Sequence, residues 1–184
     1  MCYKLCETER VFLDGKEILL GNPRMSDLKS FVEYINLLVE EDAVILVNKK
    51  VTLKEEKEWL KDKIKLVKKN KSHFIHAIHK NEAIGNIEVR KGNYRQSHVG
   101  NISVSVKKNY RGIGLGKLLM KKAIEIANKD PEIKVLTLTV YEPNKIAKQL
   151  YEKIGFKTIA KLPKRSLYRG EYVDEYVMDY PLNK

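Results

Sequence analysis

The stretch "NYRGIGLGKLL", residues 109–119, places the tightest condition on what this chain can fold into. It follows the alternating run "HVGNISVSV" and precedes a helical pattern that carries Leu115, Leu118, Leu119, Ala123, Ile126 and Ala127 inward. A strand must therefore become a helix within Arg111, Gly112, Ile113, Gly114, Leu115, Gly116 and Lys117. Glycines in such a turn let backbone N–H groups approach an anion with no Cβ in the way. The helix N-terminus adds unpaired donors and the positive end of its dipole. A phosphate site is the natural reading, and a glycine-rich tight turn is the plainer one. Two familiar phosphate devices do not fit. A Walker loop requires Ser or Thr after Gly-Lys, and here Leu118 follows Lys117. In the dinucleotide fingerprint the third glycine comes one residue later than it does here.

The remaining periodicities assign the other elements. "VFLDGKEILLGNP" reads as two short extended runs around Asp14-Gly15, or as one bent strand. "MSDLKSFVEYINLLVEE" carries Leu28, Val32, Ile35 and Leu38 near one helical stripe, with Ser26 or Asp27 as cap. Thr52-x-x-Glu55 is a capping box opening a second helix with Leu60, Ile64 and Val67 at helical spacing. Between these helices "AVILV", residues 43–47, fits no element. "HFIHAI" and "AIGNIEVR" are strands joined by the turn His79–Glu82. "KVLTLTV" is a strand, Asn144–Ile154 a helix closed by Gly155, and "FKTIAKL" and "EYVDEYVMDY" are final strands around a Pro/Gly loop. The order ββααβββαβαββ predicts a mixed α+β fold, with residues 1–184 in a single domain.

"EPNKIAKQLYEKIGF" then places Asn144, Ala147 and Tyr151 on one helical face downstream of a strand. Alone this reads as a solvated cap, a core alanine and a half-buried phenol. Together, "VSVKKNYRGIGLGKLL" and "NKIAKQLYEKIGF" resemble the Arg/Gln-x-x-Gly-x-Gly/Ala and Asn-x-x-Ala…Tyr-x-x-x-Gly-Phe motifs of the GNAT superfamily of acetyl-CoA-dependent N-acetyltransferases. The likeness covers residues 98–157 and extends more weakly to both ends; the arginine often found in the family's first strand and turn is missing. It implies a mostly antiparallel sheet of about seven strands with about four helices. That sheet would be splayed between its fourth and fifth strands, here 98–106 and 134–140. Acetyl-CoA would lie in the opening. Val104, Ser105 and Val106 would face the pantetheine arm, residues Arg111 to Lys117 would hold the pyrophosphate, Asn144 would contact the cofactor arm, and Tyr151 would sit near the thioester sulfur.

Amine attack on a thioester needs a neutral amine, a polarised carbonyl and a protonated leaving thiolate. A backbone N–H, that of Val104 or Ser105, would hydrogen-bond the carbonyl. Tyr151, with a reference pKa of about 10, stays protonated at pH 7 and can serve as the acid. Glu88 is a candidate base and His98 a second. Their plainer readings are an ion pair of Glu88 with Arg90 or Lys91 and a half-buried strand histidine. His73, His76 and His79 step by three, which on a strand sends His76 to the opposite face, so no metal site is assigned.

The net charge is +12, with ten Lys against four acidic residues in 49–71 and five basic residues without an acid in 157–170. Such a surface reads as a solvated helix face with a basic loop, or as a field for a polyanion. A non-catalytic CoA-binding or nucleic-acid-binding module is the alternative to an enzyme. Asn144 and Tyr151 favour the enzyme, because a polyanion binder needs neither. The expected partners are thus acetyl-CoA and a primary amine: a peptide or protein α-amine, a lysine, a polyamine or a small amine. Asp174, Glu175 and Asp179 could gather to receive a cationic acceptor, although a solvated strand edge accounts for them more simply. An exposed final strand would allow a homodimer. No run of 18 apolar residues and no secretory signal appears, and Cys2 and Cys6 read as free thiols, so a cytoplasmic protein is expected.

Overall fold

The computed structural model describes residues 8–182, so Cys2 and Cys6 lie outside the described residues. Its centre is an eight-stranded sheet in the order β1-β2-β3-β4-β5-β6-β8-β7. The strands are β1 (Glu9–Leu13), β2 (Lys16–Gly21), β3 (Ser72–His79), β4 (Glu82–Lys91), β5 (Val99–Val106), β6 (Val135–Tyr141), β7 (Lys157–Tyr168) and β8 (Glu171–Pro181). The helices are α1 (Leu28–Glu40), α2 (Leu53–Lys68), α3 (Leu115–Lys129) and α4 (Lys145–Ile154). Every neighbouring pair is antiparallel except β5 with β6. This is the expected element order. The strand count is eight rather than about seven, because β1 and β2 form a true hairpin, not one bent strand. Asp14 and Gly15 both have positive φ, 50° and 70°, the geometry that lets a two-residue turn match strand twist. Lys80 and Asn81 close β3 and β4 in the same way.

Two helices cover each face. Phe31, Leu60 and Phe74 join α1 and α2 to the sheet, and Tyr34, Leu38 and Ala83 extend that contact. On the opposite face α3 buries Leu115, Leu119, Met120, Ala123, Ile126 and Ala127 against Ile75, Ile87 and Leu136. The capping box starts α2 as expected: the Glu55 N–H donates to the Thr52 hydroxyl at 3.2 Å, and Thr52 N–H donates back to the carboxylate at 2.8 Å. Asp27 precedes α1, but its carboxylate accepts the Arg24 N–H at 2.9 Å rather than capping the helix. Residues 43–47 form no strand; Ala43 and Ile45 pack beneath α1 while Leu46 is 86% exposed.

The C-terminal half departs from expectation in one respect. The segment after Leu162, read as a loop, belongs to β7, which pairs with β8 as far as Tyr168↔Glu171. A register shift between Leu162 and Ser166 accommodates Pro163, and β7 is an edge strand, where a missing N–H is tolerated. Because β8 lies between β6 and β7, the final strand has no free edge to offer a second copy.

Candidate active site

Strands β5 and β6 pair only where Val99–Asn101 meet Val135–Thr137. Beyond that point β5 keeps its partner β4 as far as Val106, and β6 keeps β8 as far as Tyr141. Each strand is tied to its outer neighbour, so the sheet opens between them. Counting the hairpin as two strands, these are the fifth and sixth, the same segments the sequence singles out as the splayed pair.

Register decides which peptide groups line the opening. The His98 carbonyl accepts from Lys134 N–H at 2.8 Å, toward β6, whereas Lys107 N–H donates to Ile84 at 2.9 Å, toward β4. Peptide groups alternate sides along a strand. Val104 and Val106 therefore present N–H and C=O to the opening, and Ser105 presents its own to β4. Of the two candidates for polarising a carbonyl, the geometry selects Val104. Ser105 instead meets the Tyr34 hydroxyl at 2.8 Å through its side chain, under α1. The Val106 carbonyl is occupied by the Arg111 Nε–H at 2.9 Å.

The glycine turn lies at the end of the opened strand. Gly112 and Gly114 have φ of 81° and 92°, and a Cβ on either would meet nothing within 4 Å. Leu118 N–H, donating to Gly114 at 3.0 Å, makes the first backbone bond of α3. Among the described residues the N–H groups from Gly112 to Lys117 have no backbone partner, and Gly114 brings no side-chain cap. Ile113 packs against the core and Leu115 is wholly buried, which fixes the turn, while Lys117 is exposed on the first turn of α3. Open space above converging donors fits a diphosphate. The Arg111 side chain points elsewhere: besides Val106, it pairs with Glu41 at the end of α1.

Helix α4 completes the surround. Asn144 caps it by accepting Ala147 N–H at 3.3 Å, which leaves its amide nitrogen for another partner. Gly116 brings α3 against α4 and β5, with its Cβ position 3.6 Å from Leu150 and 4.0 Å from Val106. Tyr151 is buried beside Phe156, and its hydroxyl has no hydrogen-bond partner among the described residues. Burial pushes its pKa up to about 12, so the phenol is protonated at neutral pH.

The candidate bases fare differently. His98 stands where β5 and β6 are still joined, six residues before Val104 and roughly 20 Å from it along the strand. It is at the wrong end of the opening. Glu88 is 5% exposed, accepts the Ser72 hydroxyl at 2.8 Å and is ion-paired with Lys63 of α2, not with Arg90 or Lys91. Its carboxylate is already committed to holding α2 on the sheet. The acidic residues of β8 do not gather either. Asp174 binds Lys161 at 2.8 Å and the Lys164 N–H at 2.9 Å, Glu175 accepts from Ser166, and Asp179 is four residues further along. The histidines of β3 separate as expected: His73 contacts Asp130 under α3, and His76 faces α1.

Three contacts made by the end of α1 have no signal in the sequence. Glu41 holds Arg111, and Asp42 holds Arg169 and accepts from the Tyr168 hydroxyl at 3.3 Å. The end of α1 is thereby tied both to the glycine turn and to the β7–β8 turn. No local pattern announces pairs so far apart in the chain.

The model of the acetyltransferase (GNAT) family matches residues 36–156. The chain belongs to that family. A curated relative, the L-amino acid N-acetyltransferase AaaT of Escherichia coli (strain K12), is 33% identical over 84 residues, 46% of this chain and 52% of the relative. The chain thus spans about half the length of that relative. Among solved structures, a GNAT-family acetyltransferase from Streptococcus pneumoniae superposes with a TM-score of 0.81 at 23% identity, covering 91% of this chain and all (100%) of that one. The ribosomal-protein-S5-alanine acetyltransferase of Vibrio fischeri gives 0.83 at 15% identity over 96% and 98%. YncA of Salmonella typhimurium, solved with its cofactor acetyl-CoA, gives 0.77 at 18% identity over 91% and 95%. At these identities the structures establish the fold. Among the described residues no helix is long and apolar enough to cross a membrane.

Proposed function

We propose that this chain transfers an acetyl group from acetyl-CoA to a primary amine, by direct attack with both substrates bound. The observation that carries the reading is the opened edge of β5. Its free peptide groups at Val104 run straight into the unpaired N–H groups of residues 112–117. Acetyl-CoA supplies the acyl group as a thioester. The turn from Gly112 to Lys117 binds the diphosphate through backbone donors and the dipole of α3. The free amide nitrogen of Asn144 orients the cofactor arm. The Val104 N–H donates to the carbonyl oxygen as negative charge grows there, an arrangement that acts strongly in a site shielded from water. The Tyr151 hydroxyl, held neutral by burial, gives its proton to the departing sulfur, and the surplus proton that the attacking nitrogen sheds returns through solvent to the phenolate. No base is assigned to Glu88, which is engaged with Lys63 and Ser72; the ammonium loses its proton to water at the mouth.

The two acceptors named by the relatives, an L-amino acid and the alanine of a ribosomal protein, point to an α-amine as the first acceptor class to examine. The test is free-thiol release from acetyl-CoA against a panel of amino acids, short peptides with free N-termini, lysine side-chain analogues and polyamines. Release that rises with an α-amine and is absent with its N-methylated tertiary analogue supports the reading. Saturable acetyl-CoA binding with no amine-dependent release across the panel rejects it in favour of a non-catalytic module.

A further inference from the structure

A neutral primary amine that attacks a thioester brings two N–H bonds with it. Both become stronger donors as positive charge grows on nitrogen. An acceptor set beside the thioester therefore holds the transition state more tightly than the free amine. The two faces of the opening are unlike in this respect. On the α3 face Ile102, Leu138 and Val140 are buried, and Tyr151 closes in from α4. On the α1 face Ser103 of β5 and Thr139 of β6 are exposed. With the proton donor for sulfur on the α3 face, the amine has access to the carbonyl carbon over the α1 face.

Ser105 stands on that face, one residue after the Val104 N–H and so about 3.8 Å along the chain from it. Its Oγ lies 2.8 Å from the Tyr34 hydroxyl of α1 and 3.4 Å from Oδ1 of Asn86, its partner in register on β4. Tyr34 is only 2% exposed, and its hydroxyl makes no other hydrogen bond among the described residues. Burial raises the Tyr34 pKa above the ordinary tyrosine value, so the phenol keeps its proton and needs an acceptor. Ser105 Oγ is that acceptor. The single Ser105 proton then goes to Asn86, which fixes the hydroxyl at both ends. A hydroxyl oxygen has two lone pairs, and Tyr34 uses one of them. The other has no donor among the described residues.

The carboxylates of the same face are engaged or further away. Glu88 takes the Ser72 hydroxyl and is paired with Lys63. Glu175 shares a face with Tyr141, its partner in register, but it lies on β8, beyond β6 from the opening, and it accepts from Ser166. Ser105 is left as the side-chain acceptor next to the peptide group that polarises the carbonyl.

We infer that Ser105 is a catalytic residue whose Oγ accepts an N–H from the attacking amine, and that Tyr34 is a positioning residue that holds this oxygen in place from α1. The inference rests on the acetyl-transfer reading above. As the C–N bond forms, the carbonyl electron pair moves onto oxygen, against the Val104 N–H, and nitrogen becomes cationic. Its bond to Ser105 Oγ strengthens at that moment, and the proton stays on nitrogen until it is shed to solvent. Two measurements on full-length protein test this: titration of L-alaninamide into the CoA-bound protein, and single-turnover transfer from acetyl-CoA to L-alaninamide. Ser105→Ala should weaken L-alaninamide about threefold and slow transfer at saturating amine about tenfold, with CoA binding unchanged. Tyr34→Phe keeps the buried ring and should slow transfer about threefold. The double variant should be no slower than Ser105→Ala, because Tyr34 acts through Ser105; a Tyr34 that only packs would give independent effects that multiply. Ser105→Ala strands the buried Tyr34 proton and should lower the melting temperature, and the double variant, which removes both groups, should recover part of that loss. Parental transfer by Ser105→Ala, or losses that multiply in the double variant, would overturn the inference and leave the acetyl-transfer reading standing. If the parent protein transfers acetyl to no amine, that reading has failed, and the titration still decides: amine binding that depends on Ser105 supports the assignment, and binding that is absent or indifferent to Ser105→Ala rejects it.

Discussion

The two ends of β5 are built for opposite purposes. At its start the strand is closed in on both sides. A Cβ on Gly100 would lie 2.8 Å from Leu136, 2.9 Å from Val89 and 3.2 Å from Ile133. At its end the strand has lost β6, and the turn beyond it has glycines around which a Cβ would meet nothing within 4 Å. Glycine serves close packing at one end and clear access to the backbone at the other. On the proposed function, stability and binding therefore belong to different ends of one strand, and substitutions should separate them.

The strongest separation is expected at Gly114. Gly114→Asp sets a carboxylate where the diphosphate is proposed to lie, at a φ of 92° that non-glycine residues rarely adopt. Wild-type protein with ligand at 100 times its dissociation constant should gain about 2.7 kcal/mol of stability. The variant should lose that gain altogether; its unliganded stability should fall by the backbone strain alone, about 1–3 kcal/mol, since nothing packs there. A normal thermal upshift with acetyl-CoA would show that the turn does not hold the cofactor. Tyr151→Phe comes next. The ring and its packing on Phe156 remain, but the hydroxyl is gone. A positioned general acid contributes about 10²- to 10⁴-fold, and a thiolate leaves tolerably unaided, so single-turnover transfer should fall about 100-fold. The acetyl-CoA dissociation constant should stay within a few-fold. Transfer at the parental rate would leave Tyr151 a packing residue only.

At the closed end the effect is smaller and of the other kind. Gly100→Ala forces a methyl among three core side chains, and overpacking of this sort costs about 1–3 kcal/mol. For a chain of this size that lowers the melting temperature by several degrees. Acetyl-CoA binding per folded molecule should be unchanged; a variant of normal stability that bound acetyl-CoA poorly would mean that the two ends are coupled.

Much of this arrangement is legible in the sequence, because the turn and the α4 cap are local. Gly112 and Gly114 lie two positions apart and Asn144 and Tyr151 seven, each pair within one local motif, and periodicity finds the elements that carry them. The choice of Val104 over Ser105 is not local: it depends on which strand Lys107 and His98 face, and so on the register of three strands. Tyr34 with Ser105 and Glu41 with Arg111 join residues 71 and 70 positions apart. Such contacts leave no spacing to read. The run through Pro163 looks like a loop because its strand character comes from β8, not from its own residues.

The smallest expected effect concerns that Glu41–Arg111 pair, which ties the end of α1 to the open end of β5. Two accounts of it make opposite claims. If the pair only occupies Arg111 while the cofactor is absent, Glu41 is an anion close to a site for a larger anion. A carboxylate at about 8 Å in water costs on the order of 0.5 kcal/mol, so Glu41→Gln should tighten acetyl-CoA binding about twofold. The gain should shrink as added salt screens it. If instead the pair sets the turn in its binding shape, removing it should loosen binding at every salt concentration. The side chain of Glu41 is 14% exposed, and Arg111 is additionally held by the Val106 carbonyl at 2.9 Å. The second anchor keeps the turn in place without the carboxylate, which favours the first account. Calorimetric titration of acetyl-CoA into both proteins at low and moderate salt distinguishes them. Weaker binding by Glu41→Gln at both salt concentrations would show that α1 shapes the open end of β5.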